Sequence, residues 1–252
     1  MALASMSEIF ERMARNGQEF WEVVLADDMD ERQVSREASM AKMLTTWQAM
    51  QDAADSYTGR KRSVSGLVGG DGMKMRQYTF RGCAMTGGYV SEVIAEALSM
   101  AESNACMRRI VAAPTAGACG VLPAVLLPLC KYEELTQHQL LEALYVAAGI
   151  GSIIAYKASI AGASGGCQAE IGTASAMAAG ALVALRGGEG EQIGHAVAMA
   201  LKNLMGLVCD PVAGLVEVPC VKRNVIGAVN AVSAADMALA GIESRIPVDE
   251  VI

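Results

Sequence analysis

Apolar residues along much of the chain recur with the three- to four-residue spacing of helices. Between residues 40 and 54 the apolar positions are Met40, Met43, Leu44, Trp47, Met50 and Ala54. The segment Gly87–Met107 follows the same period. No segment alternates convincingly between apolar and polar residues, as a half-buried strand does, and no strand–helix–strand rhythm appears. The pattern therefore predicts a mainly α protein.

Capping signals and glycines place the boundaries of the later helices. The sequence Thr136-Gln137-His138-Gln139 has the form of a capping box and predicts a helix that runs to about Tyr156. Three further helices are predicted over Gln168–Arg186, Glu191–Leu204 and Asn224–Ala240. Gly206 is a C-terminal stop for the second of these. Ala161–Gly166, which reads AGASGG, is predicted to be a loop.

Three other segments carry turn or boundary signals. Pro114–Gly120 predicts a turn entering a helix. The Gly-rich segment Ser56–Asp71 contains a basic triplet but lacks the GxxxxGK[ST] arrangement of a phosphate-binding loop, so it predicts a solvated loop. Ile246–Glu250 predicts a helix start, because Pro247 favours a first helical position and acids favour the first turn. The sequence ends soon afterwards, so we expect either truncation at the C-terminus or a frayed single turn.

Composition is that of a large folded domain. The 252 residues are 53% hydrophobic, 19% charged and only 4% aromatic, which excludes a disordered chain. We predict one domain over residues 1–252, built from buried helices rich in small residues. The net charge of −7 argues against a nucleic-acid partner.

The longest uncharged run, Ile110–Cys130, meets the length rule for a membrane span. It is interrupted by Pro114, Pro123 and Pro128, so we predict no membrane span there. The uncharged runs Ala143–Tyr156 and Ile171–Leu185 are too short to cross a bilayer. The N-terminal residues lack the basic start and apolar run of a signal peptide, so a cytoplasmic location is expected.

Seven cysteines are the main chemical resource of the chain. Their odd number, the lack of a predicted secretory segment and the length of the chain argue for reduced thiols. The absence of CxxC argues against zinc-ribbon and thioredoxin-type sites. Cys167, Cys209 and Cys220 lie at the ends of predicted elements, where they could face a shared cavity and hold a metal cluster. The helix start after Cys167 and the cations after Cys220 would favour thiolates. The remaining cysteines that lie in or beside apolar helical runs are predicted to be buried apolar residues: Cys83, Cys106 and Cys130.

Histidine offers little chemistry by comparison. The chain has two histidines, His138 and His195, both on predicted helices. We predict that each is a helix-surface or hydrogen-bonded structural residue. A Ser-His-Asp triad or a histidine-based zinc site is therefore not expected.

Several motifs together resemble the iron–sulfur L-serine dehydratase family, and the α subunit of its two-chain form above all. They are Cys167-Gln-Ala-Glu-Ile-Gly, the run CDPVAGLVEVPC from Cys209 to Cys220, Val221–Asn224, Ala113–Gly120, Gly66–Gly72 and Ala235–Ile246. The resemblance covers most of the chain and is strongest from Ile110 onward.

The resemblance implies a [4Fe–4S] cluster held by Cys167, Cys209 and Cys220. One iron would then lack a cysteine ligand and act as a Lewis acid on the β-hydroxyl of L-serine. The implied reaction is α,β-elimination of water, which gives aminoacrylate and then pyruvate and ammonia. The base that removes the Cα proton is expected from a regulatory β subunit, and a homo-oligomer is possible in this family.

The resemblance also implies substrate-binding residues. Thr115, Ala116 and Gly117 match a loop whose backbone amides would bind the substrate carboxylate. Arg223 and Asn224 match positions near the cluster, where a purely structural capping role is the alternative. Gly69, Gly70 and Asp71 match a Gly-rich loop expected to line the site.

Two other functions compete with this interpretation. In the first, Lys157 forms a Schiff base with pyridoxal phosphate and AGASGG binds the phosphate, which would require an α/β fold. Lys157 stands where the family has Asn, and Ala161 where it has Ser, so this strip departs from the family pattern. In the second, the chain is a non-enzymatic, partner-binding helical subunit whose cysteines are only core. Even within the family, L-threonine remains an alternative substrate.

Overall fold

The computed structural model describes residues 3–215 and 217–252, and their regular secondary structure is helical. The described helices are α1 Met6–Asn16, α2 Phe20–Arg32, α3 Arg36–Asp55, α4 Asp71–Phe80, α5 Gly87–Ala105, α6 Val121–Tyr132, α7 Gln137–Lys157, α8 Gly162–Leu185, α9 Gly190–Leu204, α10 Val218–Leu239 and α11 Val248–Val251. These residues include no strand beyond an isolated bridge between Val212 and Leu215. The predicted mainly α class is confirmed.

Helix α8 forms the centre of the molecule and packs against α7, α9 and α10. Its residues from Ile171 to Val183 are all buried. Small side chains make this close approach possible: a Cβ at Gly180 would lie 2.2 Å from Ile150 Cδ1 of α7. Likewise, a Cβ at Gly227 of α10 would lie 2.7 Å from Ile171 Cγ2. One apolar core therefore extends from α1 to α11.

The predicted capping box is present at the start of α7. The Thr136 hydroxyl accepts a hydrogen bond from the Gln139 amide over 3.2 Å, and the Gln139 side chain accepts one from the Thr136 amide over 2.9 Å. Each bond satisfies an amide that would otherwise lack an intrahelical partner. The helix then runs to Lys157, one residue beyond the predicted end.

Two predicted boundaries near the cysteines are wrong. Most of AGASGG is a helical turn from Gly162, and the chain departs from helical geometry only at Gly166, with φ 73° and ψ −172°. Helix α10 begins at Val218 rather than Asn224, because Pro219 is compatible with a first turn. Val216, inside the CDPVAGLVEVPC run, lies outside the described residues.

The predicted helix start near Pro247 is confirmed as the short α11. Its Asp249 carboxylate accepts hydrogen bonds from the amides of Met6 and Ser7, over 3.0 and 2.8 Å. Val248 and Val251 are buried. This turn is therefore packed against the start of α1, and the expectation of fraying is wrong.

Helix α7 extends beyond its uncharged run Ala143–Tyr156, and the whole helix is long and apolar enough to cross a membrane by length and composition alone. However, 67% of its most apolar window is buried inside the protein. Burial of this kind is typical of a core helix, and α7 packs against α8, α2 and α3.

Candidate active site

Cys167, Cys209 and Cys220 line one cavity of about 510 Å³. They come from three separate elements: the start of the continuous part of α8, the segment between α9 and α10, and the first turn of α10. Gly117, Glu170 and Asn224 also line the cavity. The structure thus brings together three cysteines that lie up to 53 residues apart in the sequence.

The break at Gly166 brings Cys167 beside the segment that carries Cys209. A Cβ at Gly166 would lie 3.3 Å from both the Cys209 amide nitrogen and the Leu207 carbonyl oxygen. The Gln168 amide donates to that carbonyl over 2.8 Å, and the Gln168 side chain accepts from the Gly206 amide over 2.8 Å. A positive φ and this close backbone approach both require glycine at 166.

Arg223, on α10, contacts both Cys167 of α8 and the segment that carries Cys209. Its Nη1 donates to Cys167 Sγ over 2.9 Å and to the Val208 carbonyl over 2.7 Å. Its Nη2 lies 3.9 Å from the Asp210 carboxylate. The guanidinium therefore donates hydrogen bonds both to a sulfur of the cavity and to the segment that leads to Cys209.

Cys220 has the opposite environment from the one expected. Burial raises its pKa to about 11, and the neighbouring Cys167, Glu170 and Cys209 act in the same direction. Of the cations that follow it, Arg223 donates to Cys167, and Lys222 pairs with Asp71 over 2.9 Å. Arg223 lowers the pKa, but less than burial raises it. Arg223 thus acts on the Cys220 thiol in the predicted direction, but burial outweighs it and the net shift in pKa favours the neutral thiol.

Asn224 is fully buried and joins α10 to the loop before α6. Its Nδ2 donates to the carbonyls of Gly117 and Cys220, over 2.8 and 2.9 Å. Its Oδ1 accepts from the Gly120 amide over 2.9 Å. These bonds fix the loop that contains Gly117 relative to Cys220.

The loop Thr115–Gly117 approaches the cavity unevenly. Gly117 lines it, whereas Ala116 is exposed and is not among the lining residues. The Thr115 hydroxyl donates to Glu170, and a Cβ at Gly117 would lie 2.6 Å from Glu170 Oε1. Of this loop, Gly117 lines the cavity directly, and Thr115 is connected to it through the hydrogen bond to Glu170.

Sequence analysis missed Glu170 as a site residue, although it lies inside the motif Cys167-Gln-Ala-Glu. The available signal was its spacing. Residues three apart on a helix share a face, so Glu170 follows Cys167 into the same cavity.

Other predicted features lie away from this cavity. The Gly-rich loop surrounds Glu102, whose buried carboxylate accepts from the amides of Gly70 and Asp71 over 3.1 and 2.7 Å. Gly69, Gly70 and Asp71 are not among the described lining residues, so that expectation is wrong. Lys157 pairs with Asp249 over 3.0 Å.

The remaining cysteines and the two histidines also lie outside the cavity. Cys83 is exposed, which corrects its predicted burial, whereas Cys106 and Cys130 are half-buried. His138 lies 3.2 Å from Glu142 at the surface of α7. His195 lines a different cavity, between α1, α9 and the C-terminal segment.

Several known proteins are similar to this chain in sequence. The sequence profile of the family described as serine dehydratase alpha chain matches residues 15–252. The L-serine dehydratase alpha chain of Peptoniphilus asaccharolyticus is 38% identical over 251 residues, which cover 99% of this chain and 86% of that protein. The probable L-serine dehydratase alpha chain of Bacillus subtilis is 46% identical over 231 residues, covering 92% and 77% of the two chains.

A third relative is a longer protein. L-serine dehydratase 2 of Escherichia coli is 48% identical over 158 residues, which cover 62% of this chain but only 35% of that protein. The profile match over nearly the whole chain, together with the two alpha-chain relatives, is decisive. The chain belongs to the serine dehydratase alpha chain family.

Proposed function

We propose that this chain is the catalytic α subunit of an L-serine dehydratase, which removes water from L-serine to yield pyruvate and ammonia. The observation that carries the proposal is the convergence of Cys167, Cys209 and Cys220 on one cavity in a chain of this family. The all-helical described fold and the Lys157–Asp249 ion pair both argue against a pyridoxal-phosphate enzyme.

The donor set fits an iron–sulfur cluster. Thiolates are the ligands that such clusters use, and the cavity presents three cysteine side chains. In the described part of the chain, no three Cys, His, Asp or Glu side chains converge closely enough to bind a single metal ion. A cluster presents several irons to separate ligands, so donors spread around a cavity suit it better than one ion. We therefore propose that Cys167, Cys209 and Cys220 hold a [4Fe–4S] cluster.

When bound, such a cluster supplies a Lewis acid for the β-hydroxyl of L-serine, at the iron without a cysteine ligand. The protein's own residues orient the reactants around it. Arg223 fixes Cys167 and the segment before Cys209. Asn224 fixes Cys220 and the loop that contains Gly117. We propose that the backbone of Thr115, Ala116 and Gly117 binds the substrate carboxylate.

A partner completes the proposed enzyme. The alpha-chain names of the relatives support a complex with a β subunit, and we propose that the β subunit supplies the base that removes the Cα proton. All seven cysteines are free thiols, which supports a cytoplasmic location. A homo-oligomer of the complex is compatible with this arrangement.

Anaerobic reconstitution tests the proposal. The chain is incubated with iron and sulfide without oxygen, and protein-bound iron and sulfide are then measured. We expect about four of each per chain, as a [4Fe–4S] cluster requires, and formation of pyruvate from L-serine once the β subunit is added. A parallel assay with L-threonine measures substrate preference.

The cysteines provide matched variants. C167A removes a proposed ligand, and we expect it to lose the bound iron. C83A removes an exposed thiol that is not among the cavity-lining residues, and we expect it to retain iron fully. An intact chain that binds no iron, or a C167A variant that binds as much as C83A, would contradict the proposal and favour a non-enzymatic subunit.

A further inference from the structure

The cavity lined by the three cysteines contains acidic side chains. Two carboxylates, Glu170 and Glu217, are among its described lining residues, and these residues include no lysine, arginine or histidine. Arg223 reaches the sulfur of Cys167 from outside this lining set. A cavity with acidic groups and without basic ones is suited to a ligand that carries a positive charge.

Glu170 lies against two glycines that border the cavity. A Cβ added at Gly117 would lie 2.6 Å from Glu170 Oε1, and one added at Gly162 would lie 2.8 Å from Glu170 Oε2. Both glycines therefore leave space that the carboxylate fills. Among the described residues, the Thr115 hydroxyl donates the side-chain hydrogen bond that Glu170 accepts. An ionised carboxylate can accept about four hydrogen bonds, so capacity remains for a ligand.

Glu217 is engaged differently. Its Oε2 accepts a hydrogen bond from Ser65 Oγ over 2.6 Å, at the protein surface. This bond draws the carboxylate towards the loop that precedes α4. Glu217 therefore provides an internal comparison, since it carries the same charge and lines the same cavity.

We propose that Glu170 binds the α-ammonium group of the amino-acid substrate. This inference rests on the proposed function. The substrate L-serine has three polar groups. The cluster would bind its hydroxyl, and the loop that contains Gly117 would bind its carboxylate. The ammonium group then requires an anionic partner, and the Glu170 carboxylate lies on the same helical face as Cys167. This contact would select amino acids over hydroxy acids of the same shape.

The substitution E170Q tests the inference in the cluster-loaded complex with the β subunit. Two ligands are compared: L-serine by its KM, and 3-hydroxypropionate, which lacks the ammonium group, by its inhibition constant. We expect E170Q to raise the KM for L-serine roughly tenfold to hundredfold, as loss of a charged hydrogen bond predicts. The inhibition constant of 3-hydroxypropionate should change less than about threefold, since no charged contact is lost.

Three further measurements complete the test. Calorimetric titration with L-alanine, which has the ammonium group but no hydroxyl to eliminate, should show the same weakening without turnover. The matched variant E217Q, which removes the same charge from the same cavity, should leave the ratio of the two constants within about twofold of wild type. Bound iron is measured in every variant, so that cluster loss is recognised.

The outcomes separate this inference from the proposed function. If wild type binds iron and dehydrates L-serine but E170Q weakens both ligands equally, or lowers only kcat, the ammonium assignment is wrong and the proposed function stands. If E170Q loses its iron, Glu170 supports the cluster and the assignment is likewise wrong. If wild type neither binds iron nor dehydrates L-serine, both proposals fail.

Discussion

Arg223 Nη1 lies 2.9 Å from Cys167 Sγ and donates a hydrogen bond to it, while the same nitrogen donates to the Val208 carbonyl over 2.7 Å. One guanidinium thus joins a sulfur at the start of the continuous part of α8 to the segment that leads into Cys209. A planar group with several fixed donors is suited to this double contact, and a lysine is not.

We expect R223K to fold but to bind its cluster less well. The single ammonium of lysine cannot reproduce both contacts, so the relative position of Cys167 and Cys209 is less well defined. Iron content after anaerobic reconstitution, and its rate of loss on exposure to air, are the measurements. K222M is the control, since Lys222 pairs with Asp71 outside the cavity. Equal iron content and equal stability in air for R223K and wild type would contradict this role.

Replacement of Asn224 should destabilise the fold. N224A leaves the Gly117 and Cys220 carbonyls and the Gly120 amide without their side-chain partner in a buried place. Unsatisfied buried groups of this kind predict a loss of about 2–4 kcal/mol in the free energy of unfolding. Urea denaturation measures it. The control N203A removes an exposed bond to Asn230 and should cost less than about 1 kcal/mol.

The fit between Gly117 and Glu170 predicts a non-additive pair. In G117A the new Cβ would lie 2.6 Å from the Glu170 carboxylate, so either the loop or the side chain must move, at a cost of about 1–3 kcal/mol. In the E170A background that clash is absent, and the same change should cost less. A double-mutant cycle on the free energy of unfolding measures the difference. Additive costs would show that Glu170 moves freely away from Gly117.

Glu96 predicts a pH dependence of stability. Its side chain is buried, Oε2 pairs with Arg76 over 2.9 Å, and Oε1 has no hydrogen-bond partner among the described residues. Burial raises the pKa of Glu96, and Arg76 only partly opposes it. Between the ordinary glutamate pKa and the raised one, the folded protein binds more protons than the unfolded chain. The contribution of Glu96 to the free energy of unfolding therefore falls as pH rises through this range.

The substitution E96Q should remove this contribution, so the unfolding free energies of wild type and variant should diverge in favour of the variant as pH rises above the ordinary glutamate pKa. Denaturation curves across that range measure the effect. E92Q, which removes a more exposed partner of Lys131, should follow wild type. Parallel curves for wild type and E96Q would mean that Glu96 does not titrate as its burial predicts.

Helical periodicity and capping predicted much of the fold because both are local. The Thr136–Gln139 box and the helix near Trp47 depend on residues within one or two turns. AGASGG was predicted wrongly because its short, Gly-rich composition favours a loop, whereas packing of Gly162 against Glu170 accommodates a helical turn. The exposure of Cys83 depends on where α4 and α5 meet, which local pattern does not determine.

The candidate site likewise combines features that the local sequence predicts with features that depend on packing between distant segments. The three cysteines could be selected by motif, but the contact of Arg223 with Cys167 depends on how α10 crosses α8. Glu170 is part of the motif Cys167-Gln-Ala-Glu. Its place in the site depends on contacts that the local sequence does not determine, above all with Gly117, which lies 53 residues earlier in the chain.

Cys167 and Gly180 belong to the same continuous stretch of α8, about 20 Å apart at the usual helical rise. At one end this helix presents a sulfur and a carboxylate to the cavity, and at the other it is wedged against Ile150 with no space for a methyl group. Such a rod transmits displacement along its axis. A larger side chain at position 180 would press α8 against Ile150, so we expect substitutions deep in the interior to change the position of Cys167 relative to Cys220.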